Sequence, residues 1–258
     1  MSASFTVPQS ASFTVPRRYC GPPHSANGGW VSGRLARLVP TSTALPVVSV
    51  RLLSPPPLDR AMQVHPVADG VHPVADGVLE AVDGVTPVLR AHAVAALATD
   101  DVPAPVTYAA AVAAGAAYPG MHDHPFPMCF VCGTARKPGD ALLLRPGPVD
   151  GREVYAAAWV PTESAQELVW AALDCPGAWA LGVGGRPMVL GTMAAQVREL
   201  PVVGEEHVVV AWSRGGQGRK HFSGTALYTA EGALLAHAEA TWIEIDPAAV
   251  RPATAGPA

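Results

Sequence analysis

The chain has 258 residues, of which 49% are hydrophobic and only 15% are charged, so it can bury a large core and is neither disordered nor a coiled coil. Its net charge of −4 argues against nucleic-acid binding, which needs clustered Lys and Arg. Glycine and proline make up about a fifth of the residues, a frequency that favours short strands separated by many turns.

No apolar run reaches the roughly 18 residues that a membrane span requires. The first residues, MSASFTVPQS, have neither the basic start nor the apolar run of a secretion signal. Four cysteines in a chain of this length without such a signal favour reduced thiols. We therefore expect a cytoplasmic protein that does not bind membranes.

Two short segments are duplicated in tandem. SASFTVP occupies 2–8 and 10–16, and HPVADGV occupies 65–71 and 72–78. Each unit occurs only twice and is much shorter than a structural repeat, so neither indicates a solenoid. We interpret them as insertions that lengthen a terminus and a hairpin.

The first part of the chain predicts one helix and several strands. Trp30, Val31 and Leu35 recur at helical spacing after a turn rich in Gly, Pro and Asn. Residues 99–128 combine an Ala-rich stretch with a turn-rich one and are the best candidate for a connector. The strand-like runs between these two segments lie at 46–53, 61–67, 77–82 and 86–97.

The part after the connector follows the same plan. Residues 163–181 predict a helix with Leu168, Val169, Ala172 and Leu173 on one face. Because the strands do not alternate with helices, the chain is predicted to be α+β, with a helix followed by an antiparallel meander in each half, and not a Rossmann-type sheet. The predicted strands of this part lie at 141–149, 152–160, 187–200, 206–212, 220–229 and 233–245.

Cys129 and Cys132 form a CxxC pair, with His122 and His124 just upstream. These four side chains could supply the tetrahedral ligands that zinc prefers. A second pair at the usual spacing is missing, however, and both histidines lie in a Pro-rich segment. We therefore predict reduced or packed thiols and no bound metal.

Asp174 ends the apolar run VWAALD, so periodicity predicts that it lies in or beside a buried helical face. A buried carboxylate is energetically costly and often marks a functional site. Alternatively, Asp174 caps the end of its helix before Cys175-Pro176-Gly177. The spacing leaves catalysis and capping equally open.

The segment Asn27-Gly28-Gly29 precedes the first predicted helix. Glycines at a helix N-terminus let a ligand approach the free backbone N–H groups, which together with the helix dipole can stabilise an oxyanion. Taken alone, the segment is explained more simply as an Asn N-cap followed by flexible glycines.

Four segments of the second part follow one another in a characteristic order: CFVCG (129–133), ALDCPGAWA (172–180), HFSGTAL (221–227) and GALLAHAEATW (232–242). This order resembles the hot-dog thioesterase superfamily, and the two-part arrangement is similar to the double hot-dog acyl-CoA thioesterases. The resemblance covers 125–246 and, through SANGGWVSGRLA and the strand pattern, 12–98. It implies a double hot-dog fold of class α+β, in which each half is an antiparallel sheet wrapped around a central helix.

On this basis the chain divides into five parts. They are a tail (1–11), an N-terminal hot-dog half (12–98), a connector (99–128), a C-terminal hot-dog half (129–247) and a second tail (248–258).

The resemblance also implies a composite site. In single-domain relatives the central helix begins with H-G-G and carries an acid about two and a half turns later, and two subunits together form each site. Here the first half keeps Gly28 and Gly29 but has Ala36 where the acid would stand, whereas the second half keeps Asp174 without the glycines. The two halves would therefore complement each other in one site.

The implied reaction is hydrolysis of an acyl thioester. Water activated by Asp174, or Asp174 itself, would attack a carbonyl polarised by the N–H groups of the two glycines. Ser213 lies at a strand end where these thioesterases place a hydroxyl that holds the water; the alternative is a turn serine. They also use a glutamine on the last strand, where this chain has Ala240 and Thr241.

Other residues are expected to bind the substrate. Asn27 and Trp30 flank the two glycines and are expected to contact it there. A basic cluster in a chain otherwise poor in charge could bind CoA phosphates, although a solvated hairpin turn is the commoner explanation. This cluster consists of Arg214, Arg219, Lys220 and His221.

We therefore predict an acyl-CoA thioesterase-like hydrolase that needs no cofactor, acts on acyl-CoA or a related thioester, and could form a homo-oligomer through its sheet edges. The alternative is a non-catalytic acyl or acyl-CoA binding protein, which is favoured by the missing glutamine and by the absence of H-G-G from the second half. A hydratase of the same fold would pair its Asp with a His five residues on, where Trp179 stands.

Overall fold

The computed structural model describes residues 11–67 and 77–246. The first copy of SASFTVP, most of the two HPVADGV units and the predicted C-terminal tail lie outside the described residues. Within the described ranges the chain forms three α-helices and eleven strands, and all the strands belong to one antiparallel sheet.

The sheet has the strand order β1-β3-β4-β5-β2-β8-β11-β10-β9-β7-β6. Its two parts are joined by β2 and β8, which pair from Val48 opposite Ala195 to Arg51 opposite Thr192. The strands are Ala11–Thr14 (β1), Val47–Leu52 (β2), Ala61–Pro66 (β3), Leu79–Asp83 (β4), Thr86–Val94 (β5), Gly147–Pro148 (β6), Tyr155–Trp159 (β7), Met188–Val197 (β8), His207–Gln217 (β9), Lys220–Thr229 (β10) and Leu234–Glu244 (β11).

The same topology occurs twice along the chain. The first five strands lie in the order β1-β3-β4-β5-β2, and β7 to β11 lie in the matching order β7-β9-β10-β11-β8. A long helix follows the first strand of each set: Gly28–Ala36 (α1) and Gln166–Ala180 (α3). The α+β class predicted from the sequence is therefore confirmed.

The helices α1 and α3 pack against each other and are enclosed by the sheet. Every residue of α3 from Glu167 to Trp179 is buried, as expected for a helix that is apolar on most of its surface. Glycines permit the close approach, because a Cβ atom at Gly33 would lie only 2.7 Å from Glu167 Cα. The main core thus surrounds the crossing of the two helices.

The connector contains a third helix, Tyr108–Ala116 (α2), which packs on the outer face of the sheet. Ala111 and Ala114 of this helix join a small second core with Val208 and Val210 of β9. Since β9 is covered on both faces, its residues from 207 to 211 are all buried. No helix within the described ranges is long and apolar enough to cross a membrane.

The predicted strand at 141–149 is wrong over most of its length, because only Gly147–Pro148 pairs in the sheet. Leu142 and Leu144 instead donate backbone hydrogen bonds to the carbonyls of Phe130 (2.9 Å) and Val131 (2.9 Å). The apolar run therefore anchors the loop that holds the CxxC pair.

Candidate functional site

A cavity of about 440 Å³ opens where the N-terminus of α1 meets the middle of α3. Its walls come mainly from α1, α3, the start of β8, the end of β11, and the loops at 21–26, 52–56 and 124–132. Most of the lining side chains are apolar. The polar groups that line it include Asn27, Asp174 and three cysteines.

Asp174 lies in the interior of α3 and is only 2% exposed. The helix continues for six residues beyond it, through Pro176, to Ala180. The alternative that Asp174 caps a helix end is therefore wrong. The carboxylate instead faces the cavity from one helix while the N-terminus of the other helix supplies its hydrogen-bond donors.

One carboxylate oxygen of Asp174 is held by α1. Its Oδ2 atom accepts hydrogen bonds from the Gly29 backbone N–H (2.9 Å) and from Asn27 Nδ2 (2.8 Å). Asn27 is also the N-cap of α1, because its Oδ1 accepts from the Trp30 backbone N–H at 2.9 Å. A single amide thus begins one helix and orients the acid of the other.

The second carboxylate oxygen of Asp174 is available to accept a proton. Asp174 Oδ1 is buried and has no hydrogen-bond partner among the described residues. Burial raises the pKa of Asp174 to about 7, against the lowering effect of the bonds from Gly29 and Asn27. Near neutral pH the group can therefore both accept and return a proton.

The two glycines at the N-terminus of α1 differ in their contacts. The Gly29 N–H is already bound to Asp174, so the prediction that both N–H groups polarise a substrate carbonyl is corrected. Gly28 lines the cavity and occupies the first helical position, where the helix offers no acceptor for its N–H. Only this N–H remains as the donor at the helix N-terminus.

Ser213 is not brought to the cavity. It lies on an exposed part of β9, and its Oγ accepts from the Gly215 backbone N–H at 3.2 Å. The predicted turn begins later than expected, because β9 extends to Gln217 in pairing with β10. Ser213 therefore lies neither at the cavity nor in the turn, but within β9, where it pairs with Ser223 of β10.

Trp30 is buried and does not line the cavity. Its ring stacks on Tyr19, with centroids 4.2 Å apart. The predicted substrate contact of Trp30 is therefore replaced by a packing role that supports the start of α1.

The predicted basic cluster divides into two groups, and none of its members lines the cavity. Arg214 pairs with Asp101 and Glu239. Arg219 donates to the carbonyl of Glu244 (2.8 Å), and His221 Nε2 lies 3.3 Å from its carboxylate. The chain neighbours of Glu244, residues 243 and 245, line the cavity. This second group therefore lies beside the cavity, together with the exposed Lys220, which stands between Arg219 and His221 in the chain.

The last strand supplies no polar group to the cavity. Trp242 and Ile243 of β11 line it, whereas Ala240 and Thr241 line a separate depression on the sheet. No polar side chain of β11 therefore replaces the expected glutamine at the cavity.

Sequence reasoning missed a group of three thiols, which we call the thiol cluster: Cys129, Cys132 and Cys175. Their Sγ atoms all lie within 4.8 Å of one another, and all three residues are buried and line the cavity. Hydrogen bonds from its two partners hold the pKa of Cys129 well below its ordinary value. Cys175 directly follows Asp174, but only the packing of α3 against the CxxC loop could reveal the contact.

The histidines do not join this cluster. His122 is exposed. His124 Nε2 lies 3.1 Å from the carbonyl of Cys132, and its Nδ1 accepts from the Phe126 backbone N–H at 3.0 Å. Both ring nitrogens of His124 are therefore engaged by backbone groups.

No family model matches the chain, and no curated protein matches its sequence. Solved structures nevertheless share its fold over almost its whole length. The tesB protein of Mycobacterium avium subspecies paratuberculosis is 11% identical, with a TM-score of 0.60 over 94% of this chain and 96% of that one. A conserved protein of unknown function with a hot dog fold from Alicyclobacillus acidocaldarius is 12% identical, with a TM-score of 0.60 over 93% and 94%.

An acyl-CoA thioesterase II, TesB2 of Mycobacterium marinum, is 13% identical, with a TM-score of 0.54 over 93% of this chain and 94% of that one. The protein therefore has the hot-dog fold, and the doubled arrangement predicted from the sequence is confirmed. At these identities the likeness establishes the fold alone.

Proposed function

We propose that the protein is an acyl-CoA thioesterase with one composite active site between α1 and α3. The observation that carries the proposal is the Asp174 carboxylate, which is held by donors of α1 through Oδ2 and has Oδ1 unpartnered at an apolar cavity. The name of TesB2, an acyl-CoA thioesterase II that shares the fold, agrees with this reaction.

In the proposed reaction Asp174 Oδ1 takes a proton from a water molecule as the water oxygen attacks the thioester carbonyl carbon. The carbonyl oxygen becomes an oxyanion, which the Gly28 N–H and the positive end of α1 stabilise. As the C–S bond breaks, Asp174 returns the proton to the departing thiolate. The products are a carboxylic acid and a free thiol, and Asp174 is regenerated.

The cavity favours an acyl group over a polar substrate. Its volume is within the range of small-molecule sites, and its walls include Leu52, Trp179, Leu190 and Trp242. The CoA part of the substrate would remain outside the cavity, beside Arg219 and Lys220, which lie near Glu244. We also place the protein in the cytoplasm as part of this proposal, because its four cysteines are free thiols and a reducing compartment keeps thiols in that form.

The experiment that tests the proposal is release of free thiol from a panel of short, medium and aryl acyl-CoAs by the purified protein. Hydrolysis of at least one member well above the uncatalysed rate supports it. The second candidate, a non-catalytic acyl-CoA binding protein, is favoured by the apolar contribution of β11. Calorimetry that detects tight binding of acyl-CoA without thiol release would support that candidate instead.

The dual role of Asn27 can be separated by two substitutions. Asn27→Ser keeps a good N-cap oxygen but removes the donor to Asp174, whereas Asn27→Ala removes both. We expect Asn27→Ser to lower kcat about tenfold with little change in thermal stability, and Asn27→Ala to lower stability by about 1 kcal/mol as well. Steady-state kinetics and thermal unfolding check this; equal kcat in Asn27→Ser and the wild type would contradict it.

Arg219 is expected to contact the CoA part. Because the site is exposed and screened, Arg219→Ala should raise KM for acyl-CoA only about fivefold. It should leave KM unchanged for an N-acetylcysteamine thioester, which lacks the phosphates. Arg198→Ala is the matched control, since Arg198 follows the opposite end of β8 from the cavity, about 23 Å along the strand from Gly191, the last residue of β8 that lines it. An equal effect on both thioesters would contradict a phosphate contact.

A further inference from the structure

The sulfur atoms of the thiol cluster are spaced as in a metal site. All three lie within 4.8 Å of one another, and Cys129 Sγ and Cys175 Sγ are 3.5 Å apart. In a tetrahedral zinc site with Zn–S bonds of about 2.3 Å, the sulfurs lie about 3.8 Å apart. Small movements of the side chains would therefore give the zinc geometry without a change of the backbone.

The loop that carries two of the cysteines has a fixed shape. The backbone N–H groups of Val131 and Cys132 donate to the Cys129 sulfur, and the Gly133 N–H donates to the Cys129 carbonyl at 2.9 Å. A Cβ atom at Gly133 would lie 2.5 Å from the carbonyl oxygens of both Cys129 and Pro127. This tight CxxC-Gly turn presents two sulfurs to one point.

The same loop is fixed from the other side. The Tyr118 hydroxyl donates to the Cys132 carbonyl at 2.9 Å, and His124 contacts the same oxygen. Since Leu142 and Leu144 also bond to this loop, its position relative to α3 is set by buried contacts.

Each sulfur has an N–H donor that would stabilise a metal-bound thiolate. Asn27 Nδ2 lies 3.7 Å from Cys175 Sγ and 4.0 Å from Cys129 Sγ. The Trp179 indole donates to the sulfur of Cys132. Outer-shell hydrogen bonds of this kind orient metal ligands and stabilise their charge.

A fourth ligand position is available at the cavity. All three cysteines line it, and so does Asp174, whose Oδ1 is buried without a partner. Zinc sites with three protein ligands keep the fourth position for water or a ligand. A water molecule, and not the Asp174 carboxylate, would fill this fourth position, so that Oδ1 stays available as the proton acceptor of the proposed reaction.

We propose that Cys129, Cys132 and Cys175 bind one Zn²⁺ ion as thiolates, with the fourth position open to the cavity and to Asp174. Binding releases the three thiol protons to solvent. The site is additional to the proposed thioesterase and does not depend on it, because zinc content is measured without a thioester.

The test uses the full chain, purified under reducing conditions without chelator and then incubated with Zn²⁺ or Co²⁺. We expect one metal ion per chain by elemental mass spectrometry, and a cobalt spectrum with thiolate charge-transfer bands and intense d–d bands of a tetrahedral site. Each of Cys129→Ser, Cys132→Ser and Cys175→Ser should weaken metal binding by roughly 100-fold or more.

Cys20→Ser is the matched control. Cys20 is the one remaining cysteine of the chain and is also buried, but its sulfur contacts the Met128 carbonyl and Arg136 outside the cluster. Retention of the metal in this variant supports the proposal, and loss equal to that of the cluster variants would overturn it.

Two further outcomes would overturn the proposal. One is folded, reduced wild-type protein that binds neither metal, with folding checked by circular dichroism. The other is a Cys129–Cys175 disulfide that forms readily and is unaffected by zinc. Because both measurements use the wild-type chain, they decide the question even if a cluster variant fails to fold.

Discussion

Asp174→Asn is expected to lower kcat/KM for acyl-CoA hydrolysis by roughly 10³-fold, within the usual range for loss of a general base. The amide can keep its oxygen toward the Gly29 N–H and Asn27 Nδ2, which now bond to Asp174 Oδ2. Its NH₂ group then occupies the place of Oδ1, where it cannot accept a proton from water. The variant should therefore remain folded and lose the chemical step.

The same variant should unfold at a temperature equal to or higher than that of the wild type. An uncharged amide does not carry the cost of burying a carboxylate, and functional groups often reduce stability in this way. Thiol release and thermal unfolding measure the two effects on one protein.

Glu167→Gln is the control, because Glu167 is a second buried acid of α3 that pairs with Arg34 and Arg37 away from the cavity. It should lower stability slightly and leave kcat unchanged. If Asp174→Asn hydrolyses acyl-CoA at the wild-type rate, the proposed mechanism is wrong.

Gly29→Ala is expected to lower the free energy of unfolding by about 3 kcal/mol or to prevent folding. The new Cβ would lie 2.5 Å from Asp174 Cβ and from the Trp170 carbonyl oxygen, and 3.0 Å from Ala171 Cα. Two of these neighbours are backbone atoms, so relief requires α1 and α3 to separate. The higher helix propensity of Ala, worth about 1 kcal/mol, is too small to compensate.

Gly185→Ala is the matched control. A Cβ atom there meets nothing within 4 Å, and we expect a change below about 0.5 kcal/mol. Urea denaturation of both variants measures the difference. A Gly29→Ala protein as stable as Gly185→Ala would show that the two helices are not in close contact at this crossing.

Local signals predicted most of the secondary structure. The strand-like run at 220–229 between Gly-bearing turns coincides with β10, and apolar periodicity predicted the helix α1, which begins at Gly28, two residues earlier than the predicted helix. The prediction failed at 141–149, where Leu142 and Leu144 bond to the CxxC loop. A short apolar run does not indicate whether its hydrogen-bond partners lie in a sheet or in a distant loop.

The site could be predicted in part. The resemblance indicated that Asp174 and the glycines of α1 complement each other, and the structure brings the acid to the Gly29 N–H. Ser213 was misplaced because the Gly-rich sequence after it looked like a turn, whereas β9 continues through it in pairing with β10. Strand pairing can extend through such a sequence when the neighbouring strand supplies the partners.

The sequence by itself determined most of the strands and the helices α1 and α3, and it predicted that Asp174 lies in or beside a buried helical face. These are consequences of local periodicity. Only the tertiary structure decided that the Gly29 N–H is consumed by Asp174, and that Cys175 meets Cys129 and Cys132. Such contacts join groups 46 residues apart, as for Cys175 and Cys129, or 145 apart, as for Asp174 and Gly29. They depend on how closely α1, α3 and the CxxC loop approach, which is set by packing and not by the local pattern.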